Sequence, residues 1–319
     1  MRALVTGGAG FIGSHLVEGL LKRGAEVSVI DDLSTGSFDN IAHLEDHPGF
    51  QYTIDTILDE EVMARLADGV DVIFHLAAAV GVKYVIENML KALQINIRGT
   101  EIVLDVANRQ KTKVVLFSSS EVYGKANSLP FHEEHDRLLG PTTINRWSYA
   151  AAKAIDEILA LAYHREKKLP MVIVRCFNTC GPRQTGQYGM VIPRFVKQCL
   201  LGNPITIYGD GKQTRCFTAV ADVVRAVLDL AEHDAAVGEI FNVGSESEIA
   251  IEDLAGKIKK MTGSSSTIDH IPYEKAYEQG FQDMRRRVPD LKKIRELIKY
   301  RPEVSLDEIL ESVIRYFEA

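Results

Sequence analysis

Tyr149 and Lys153 stand four residues apart in "SYAAAKAIDE", a spacing that puts both side chains on one face of a helix. A phenol titrates near about 10 in water, so at neutral pH it takes a proton only where positive charge stabilises its phenolate. Lys153 would supply such a charge. The spacing alone also fits an ordinary helical pair. A second polar group, Ser118, Ser119, Ser120 and Glu121 in "FSSSEVYG", stands where an apolar run should be ending as a buried strand.

A third stretch gives these groups a setting. "VTGGAGFIGSHL" spaces Gly7, Gly10 and Gly13 as GxxGxxG after one apolar run and at the start of an amphipathic one. Glycines there permit a tight turn and the close approach of a pyrophosphate to free N–H groups at a helix start. The next apolar run ends "VIDD", placing Asp31 about 20 residues on, where an acid hydrogen-bonds a ribose diol and repels a 2'-phosphate. The pattern favours NAD over NADP.

The elements that carry these residues follow from periodicity. "RALV", "EVSVI", "VDVIFHLA", "KVVLFSS" and "MVIVRCFN" predict strands, and 11–22, 87–108 and 148–166 predict helices. Strands alternating with helices imply a parallel sheet. After Asn178 the elements shorten, as in "GPRQTGQYG" and "YGDGKQ", which predicts a smaller second domain. "FTAVADVVRAVLDLAE" and "GEIFNVG" then predict a helix and a strand that return to the main sheet.

The chain has 319 residues, 46% hydrophobic and 25% charged, enough for a sizeable core. Its formal charge of −7 argues against nucleic acid or an anionic membrane as partner, while local arginines leave an anionic small substrate open. No signal peptide is visible and no window approaches the roughly 18 apolar residues of a membrane span, so the cytoplasm is expected. Cys176, Cys180, Cys199 and Cys216 form no CxxC pair and read as reduced thiols. His132 and His135 in "FHEEHDR" lack the HExxH spacing, and no metal is expected.

Together "TGGAGFIG", Asp31, "HLAA", "INIRGT", "SSSEVYG", Tyr149 with Lys153, "RCFNTCGPRQ" and "GDGKQTRCFT" resemble the extended short-chain dehydrogenase/reductase family, in its group of nucleotide-sugar epimerases, dehydratases and decarboxylases. The resemblance implies an α/β fold, a Rossmann-type doubly wound parallel sheet with a smaller C-terminal substrate domain. The cofactor domain would take 1–177 plus about 219–243, and the substrate domain 178–218 and 244–319. NAD would be contacted by Gly7, Gly10, Phe11, Ile12, Gly13, Asp31, Asp32, Asp55, Leu76, Ala77, Ala78, Asn96, Ser118, Tyr149 and Lys153. Asn96 would also support the active-site backbone. A UDP-sugar would meet Asn178, Tyr208, Arg215 and Arg287. Ser119, Ser120, Glu121, Tyr149 and Lys153 would carry the chemistry, with Tyr149 removing the proton of the sugar 4-hydroxyl.

The opening motif also bears on reaction type. By the same resemblance, 4-epimerases carry a serine or threonine without the acid, 4,6-dehydratases Thr-Asp-Glu, and UDP-glucuronate decarboxylases Thr-Ser-Glu. Ser119, Ser120 and Glu121 match the last pattern but for one methyl, and "RWSYAAAK" and "GFQDMRRRVPD" are similar to that branch. Arg287 would lie near the sugar carboxylate, and Glu121 could guide a water that donates a proton. The alternatives are a UDP-hexose or UDP-hexuronate 4-epimerase and a non-catalytic nucleotide-binding scaffold. A homodimer is expected through helices near 88–109 and 148–167, using Ile95, Ile102, Val103 and Val106 beside Ile158, Leu159 and Leu161.

Overall fold

The computed structural model describes residues 1–126, 128–186, 190–276 and 284–318. Parts of two motifs, at 187–189 and 280–283, lie outside the described residues. Seven strands, β1 (Arg2–Thr6), β2 (Glu26–Asp31), β3 (Phe50–Ile54), β4 (Val72–His75), β5 (Lys113–Ser119), β6 (Met171–Cys176) and β7 (Ile240–Val243), form one sheet in the order β7-β6-β5-β4-β1-β2-β3. Every pairing is parallel. Strand order reverses between β1 and β4, and in open α/β sheets the crevice outside the carboxyl ends at such a point receives ligands.

The central strands read as unbroken apolar runs because helices cover both of their faces. Leu16, Val17 and Leu20 of α1 (Phe11–Lys22) lie with Val5, Val29, Phe74 and Val115 on one face. Ile102, Val103 and Leu104 of α2 (Gly99–Gln110) and Ala160 of α3 (Ser148–Lys167) lie with Leu4, Ile73 and Leu116 on the other. Alternate residues of each strand thus serve two cores. The predicted helix after 219 is α4 (Val220–Glu232), and β7 pairs with β6. A third cluster, with Phe195, Leu254, Ile258, Leu310 and Val313, fills the C-terminal part. No helix of the described residues is long and apolar enough to cross a membrane.

Two differences from the sequence reading have physical causes. The single helix expected over 87–108 is instead two short helices, Val82–Glu87 and Met89–Leu93, a π-helical turn over Gln94–Arg98, and then α2. Such turns occur where a side chain must leave the regular helical register, frequently at functional sites. Here Asn96 uses the turn to bracket Ala79, accepting from its N–H at 2.7 Å and donating to its carbonyl at 3.2 Å. Ile95, Ile102, Val103 and Val106, expected on an intersubunit face, are buried within this chain. Ile158 is 54% exposed instead, alongside Ile155, Met89 and Leu90.

Behind the end of β5 lies a buried polar network that links four elements. Ser118 donates to Glu157 Oε1, and Arg175 grips the same carboxylate through Nε at 2.9 Å and Nη2 at 2.7 Å. Arg175 Nη1 also donates to the Tyr123 hydroxyl, which donates to Asn242 Oδ1. The two buried charges are tolerable because each is met in bidentate geometry. Removing one leaves the other unmatched. Arg175→Met is therefore expected to cost about 3–5 kcal/mol of stability, read from urea unfolding; a loss under about 1 kcal/mol would show that the pair carries no such weight.

Candidate active site

The carboxyl ends of β1, β2, β4, β5 and β6 open onto one cavity of about 500 Å³. Its first half is built by the glycine turn. Gly7 has φ +73°, and a Cβ there would stand 2.7 Å from the Ala77 nitrogen; a Cβ at Gly13 would stand 2.1 Å from the Gly7 carbonyl oxygen. Neither position has room for a side chain. The first turn of α1 lines the cavity with no side-chain cap and no acid, so its N–H groups are left for a ligand. Asp31 accepts from the N–H groups of Ala9 and Leu33, each at 2.9 Å, and so braces the turn while facing the cavity. Burial raises its carboxyl, and those N–H groups pull the other way. Asp32, Asp55, Leu76, Ala77 and Ala78 also line this half. The cradle fits a dinucleotide, since only backbone borders the space that a Cβ would fill.

Not every expected cofactor contact reaches the cavity. Asn96 stands behind its wall and holds Ala79 in place. Ser118 lines the wall, yet its hydroxyl is engaged by Glu157. Lys153 is buried beneath Tyr149, with its Nζ 2.9 Å from Asp156 Oδ2. His75, a residue the motif contained without a stated task, bridges the hydroxyls of Thr6 and Thr100. Burial first, then the nearby Lys153, lowers it to about 3, so the ring is a neutral tie between β1, β4 and α2.

The second half holds the reactive groups. Tyr149 lines the cavity and is hydrogen-bonded to Ser119, whose oxygen also accepts from the N–H of Glu121 at 3.2 Å. Burial raises the phenol well above its ordinary value, Glu121, Asp156 and Cys176 push the same way, and the Ser119 hydrogen bond opposes them. The Lys153 ammonium is matched by Asp156, a carboxylate to which the sequence reading gave no place beside it.

Glu121 is clamped. Arg146 Nη2 lies 2.6 Å from one carboxylate oxygen and Arg287 Nη2 2.7 Å from the other, while Arg287 Nη1 reaches the Ser120 hydroxyl at 3.5 Å. Burial would raise the carboxyl, but Arg146, Arg287 and Arg215 prevail and hold it at about 2. Glu121 is consequently a fixed anion that can accept a hydrogen bond from water and has no proton of its own to give. Sequence reasoning passed over Arg146, although it stands three residues before Tyr149 and stacks against Trp147, with the guanidinium 5.4 Å from the ring centre. Its helical proximity to the tyrosine was the available signal.

The sugar-nucleotide side gathers the remaining expected residues. Asn178 and Arg215 line the cavity and are braced by backbone carbonyls, Asn178 on Cys216 and Arg215 on Thr214 and Met284. Tyr208 faces the cavity with the Arg194 guanidinium 4.0 Å from its ring centre, a second cation the sequence reading missed. Of the basic run, Arg285 and Arg286 pair with Asp210 and Glu248 at the surface, and only Arg287 turns inward. His132 and His135 take backbone N–H bonds within their own turn.

A phenol that shares a hydrogen bond with a serine beside a dinucleotide cradle is the working arrangement of a short-chain dehydrogenase/reductase handling a bound alcohol. Comparison with known proteins carries that class to a family. The chain belongs to the family described as GDP-mannose 4,6 dehydratase, matched over residues 4–313. It is 44% identical to a UDP-N-acetyl-alpha-D-glucosaminuronate decarboxylase from Bacillus cytotoxicus over 317 residues, covering 99% of this chain and 97% of the relative. It is 37% identical to UDP-glucuronic acid decarboxylase 1 from Arabidopsis thaliana, over 99% of this chain and 70% of that protein. Among solved structures, UDP-glucuronic acid 4-epimerase from Bacillus cereus, in complex with UDP-glucuronic acid and NAD, superposes with a TM-score of 0.90 at 32% identity, covering 100% of this chain and 99% of that one.

Two measurements check this geometry. Asp31→Ala is expected to purify with far less NAD than the parent, because the turn loses its brace and the ribose its acceptor; unchanged NAD content would remove Asp31 from the cradle. The Glu121 carboxyl is lowered from its ordinary 4.5 to about 2. A lowered folded value contributes stability above the unfolded value and loses it as the pH falls toward the folded one. The parent should accordingly lose stability relative to Glu121→Gln as pH drops from 4.5 to about 2, followed by urea midpoints. Parallel profiles would mean that the clamp is absent in solution.

Proposed function

We propose that the protein is an NAD-dependent decarboxylase of UDP-hexuronates, with UDP-glucuronate and its 2-acetamido counterpart as the substrates to compare. One observation carries the reading: the reacting end of the cavity places two guanidiniums, Arg146 and Arg287, against the single carboxylate of Glu121. Guanidiniums at that end are groups with which a sugar carboxylate would pair in fork geometry. A neutral hexose offers no such charge. The names of the two decarboxylase relatives support the same reading, and the 44% relative favours the 2-acetamido sugar. The 4-epimerase reading has the structural neighbour in its favour and leaves Glu121 without a task.

NAD, held in the glycine cradle, supplies a reversible hydride acceptor. Tyr149 takes the proton of the sugar 4-hydroxyl, with Ser119 hydrogen-bonded to the phenol to fix its direction. Once position 4 is a ketone, the neighbouring carboxylate belongs to a β-keto acid. Its C–C bond breaks, carbon dioxide departs, and the electron pair becomes an enolate on the ketone oxygen. Tyr149 and Ser119 hold that oxygen by hydrogen bonds already in place. Glu121 keeps Arg146 and Arg287 apart and oriented, and accepts from a water that protonates the ring carbon, the hydroxide so formed taking a proton from solvent. The hydride then returns to position 4, and Tyr149 gives its proton back to the oxygen there, leaving a 4-hydroxy pentose. Two further parts of the reading concern architecture. The segments 178–218 and 244–319 serve the nucleotide sugar and the rest serves NAD, and two chains pair through the exposed Ile155 and Ile158 of α3 with Met89 and Leu90.

Incubation with UDP-glucuronate, its 2-acetamido counterpart and UDP-glucose, each followed by product mass, is expected to show loss of carbon dioxide from a hexuronate and no conversion of UDP-glucose. Interconversion of UDP-glucose with UDP-galactose and no carbon dioxide from either hexuronate would hand the site to the epimerase reading. Tyr149→Phe should produce no NADH absorbance on adding substrate. Glu121→Gln should still produce it, while pentose release falls by about 100-fold or more. For the assembly, Ile158→Arg is expected to convert a dimer to a monomer in sedimentation; a parent already monomeric at micromolar concentration would contradict the pairing.

A further inference from the structure

Asp156 is wholly buried on α3, and no step above uses it. Its carboxylate lies 2.9 Å from Lys153 Nζ, one helical turn away, with both side chains shut off from solvent. An ammonium in such a place is strongly disfavoured without a counter-charge. The Thr100 hydroxyl stands beside the same carboxylate, and His75 ties Thr100 back to Thr6 on β1. The pair thus sits beside a side-chain link that reaches α2, β4 and β1.

The other ionisable groups that face Tyr149 and Lys153 are already satisfied. Glu121, from the turn after β5, is held by Arg146 and Arg287, and Glu157, from α3 itself, is held by Arg175. His75 of β4 is neutral, and burial keeps Cys176 of β6 a thiol. Among the described residues, the charge near the phenol that no second cation offsets is the carboxylate of Asp156. Lys153 is its one ion-pair partner there.

We propose that Asp156 is a positioning residue: it fixes the Lys153 ammonium beneath Tyr149 and sets how much of that charge the phenol feels, so a carboxylate outside the cavity governs the pH at which the substrate proton is taken. This rests on Tyr149 being the base of the proposed reaction. Asp156 keeps Lys153 charged out of water, and its removal leaves a buried lysine that sheds its proton, so Tyr149 loses the cation one helical turn away. The phenolate then forms at higher pH.

Asp156→Asn keeps the shape and removes the charge. The measurement is single-turnover NADH absorbance after mixing the NAD-loaded protein with a UDP-hexuronate, between about pH 5 and 9. The acidic limb of the variant is expected to lie about one unit higher than that of the parent, a tenfold loss in rate on that limb, with half-saturation unchanged within about twofold. A variant whose rate is scaled equally at every pH, or whose limb moves downward, would overturn the proposal. A second readout needs no turnover: urea unfolding of Lys153→Met, Asp156→Asn and the double variant. Each single change is expected to destabilise, and the double to lose less than their sum; additive losses would overturn the pairing. Should Asp156→Asn alone fail to fold, the double variant, with neither charge left, is expected to fold, and its failure would also contradict the pairing. If the parent yields no NADH with any UDP-sugar, the proposed reaction fails, and the urea comparison still decides whether Asp156 holds Lys153.

Discussion

A buried carboxylate survives at the end of β5 because two guanidiniums meet it there. Burial alone would protonate Glu121; Arg146 and Arg287 reverse that and lock it as an anion. The consequence spreads outward. Arg146 precedes α3 and so fixes where Tyr149 begins, while Arg287 is drawn inward from a run whose other arginines stay at the surface. One ion cluster thus joins the sheet edge, the catalytic helix and the C-terminal segment around the sugar end of the cavity.

The same principle recurs one layer deeper. Glu157 of α3 with Arg175 of β6, and Asp156 with Lys153 one turn apart on α3, are opposite charges matched out of water. Each pair is a poor source of stability relative to an apolar core and a strong source of position, since breaking one leaves an uncompensated charge. That is what a site needs when a phenol, a serine hydroxyl and a sugar must meet at hydrogen-bond distance.

Local chemistry was legible in the sequence. The glycine turn, α1, β5 and the start of α3 follow from periodicity and turn residues that act within a few positions. Edge strand β3 escaped notice because "FQYTI" is half exposed and carries no long apolar run. The π turn escaped because its cause, the Asn96 bond to Ala79, lies 17 residues away. Long-range charge pairing is hidden for the same reason: nothing near Lys153 announces whether Asp156 or the cofactor takes its ammonium, and Arg287 differs from Arg285 and Arg286 only in what the fold brings to it. The four apolar residues assigned to a subunit interface misled because a helix with two apolar faces does not say which one its own sheet will cover.

The claim on which the account rests is that the guanidiniums around Glu121 recognise a carboxylate on the sugar. Calorimetric binding of UDP-glucuronate, its 2-acetamido counterpart and UDP-glucose to the NAD-loaded protein and to Arg287→Gln tests it directly. The account predicts that the parent binds a hexuronate at least about tenfold more tightly than UDP-glucose, as a charge-assisted pair would give, and that the variant loses this preference. Equal affinity of the parent for all three sugars would contradict it.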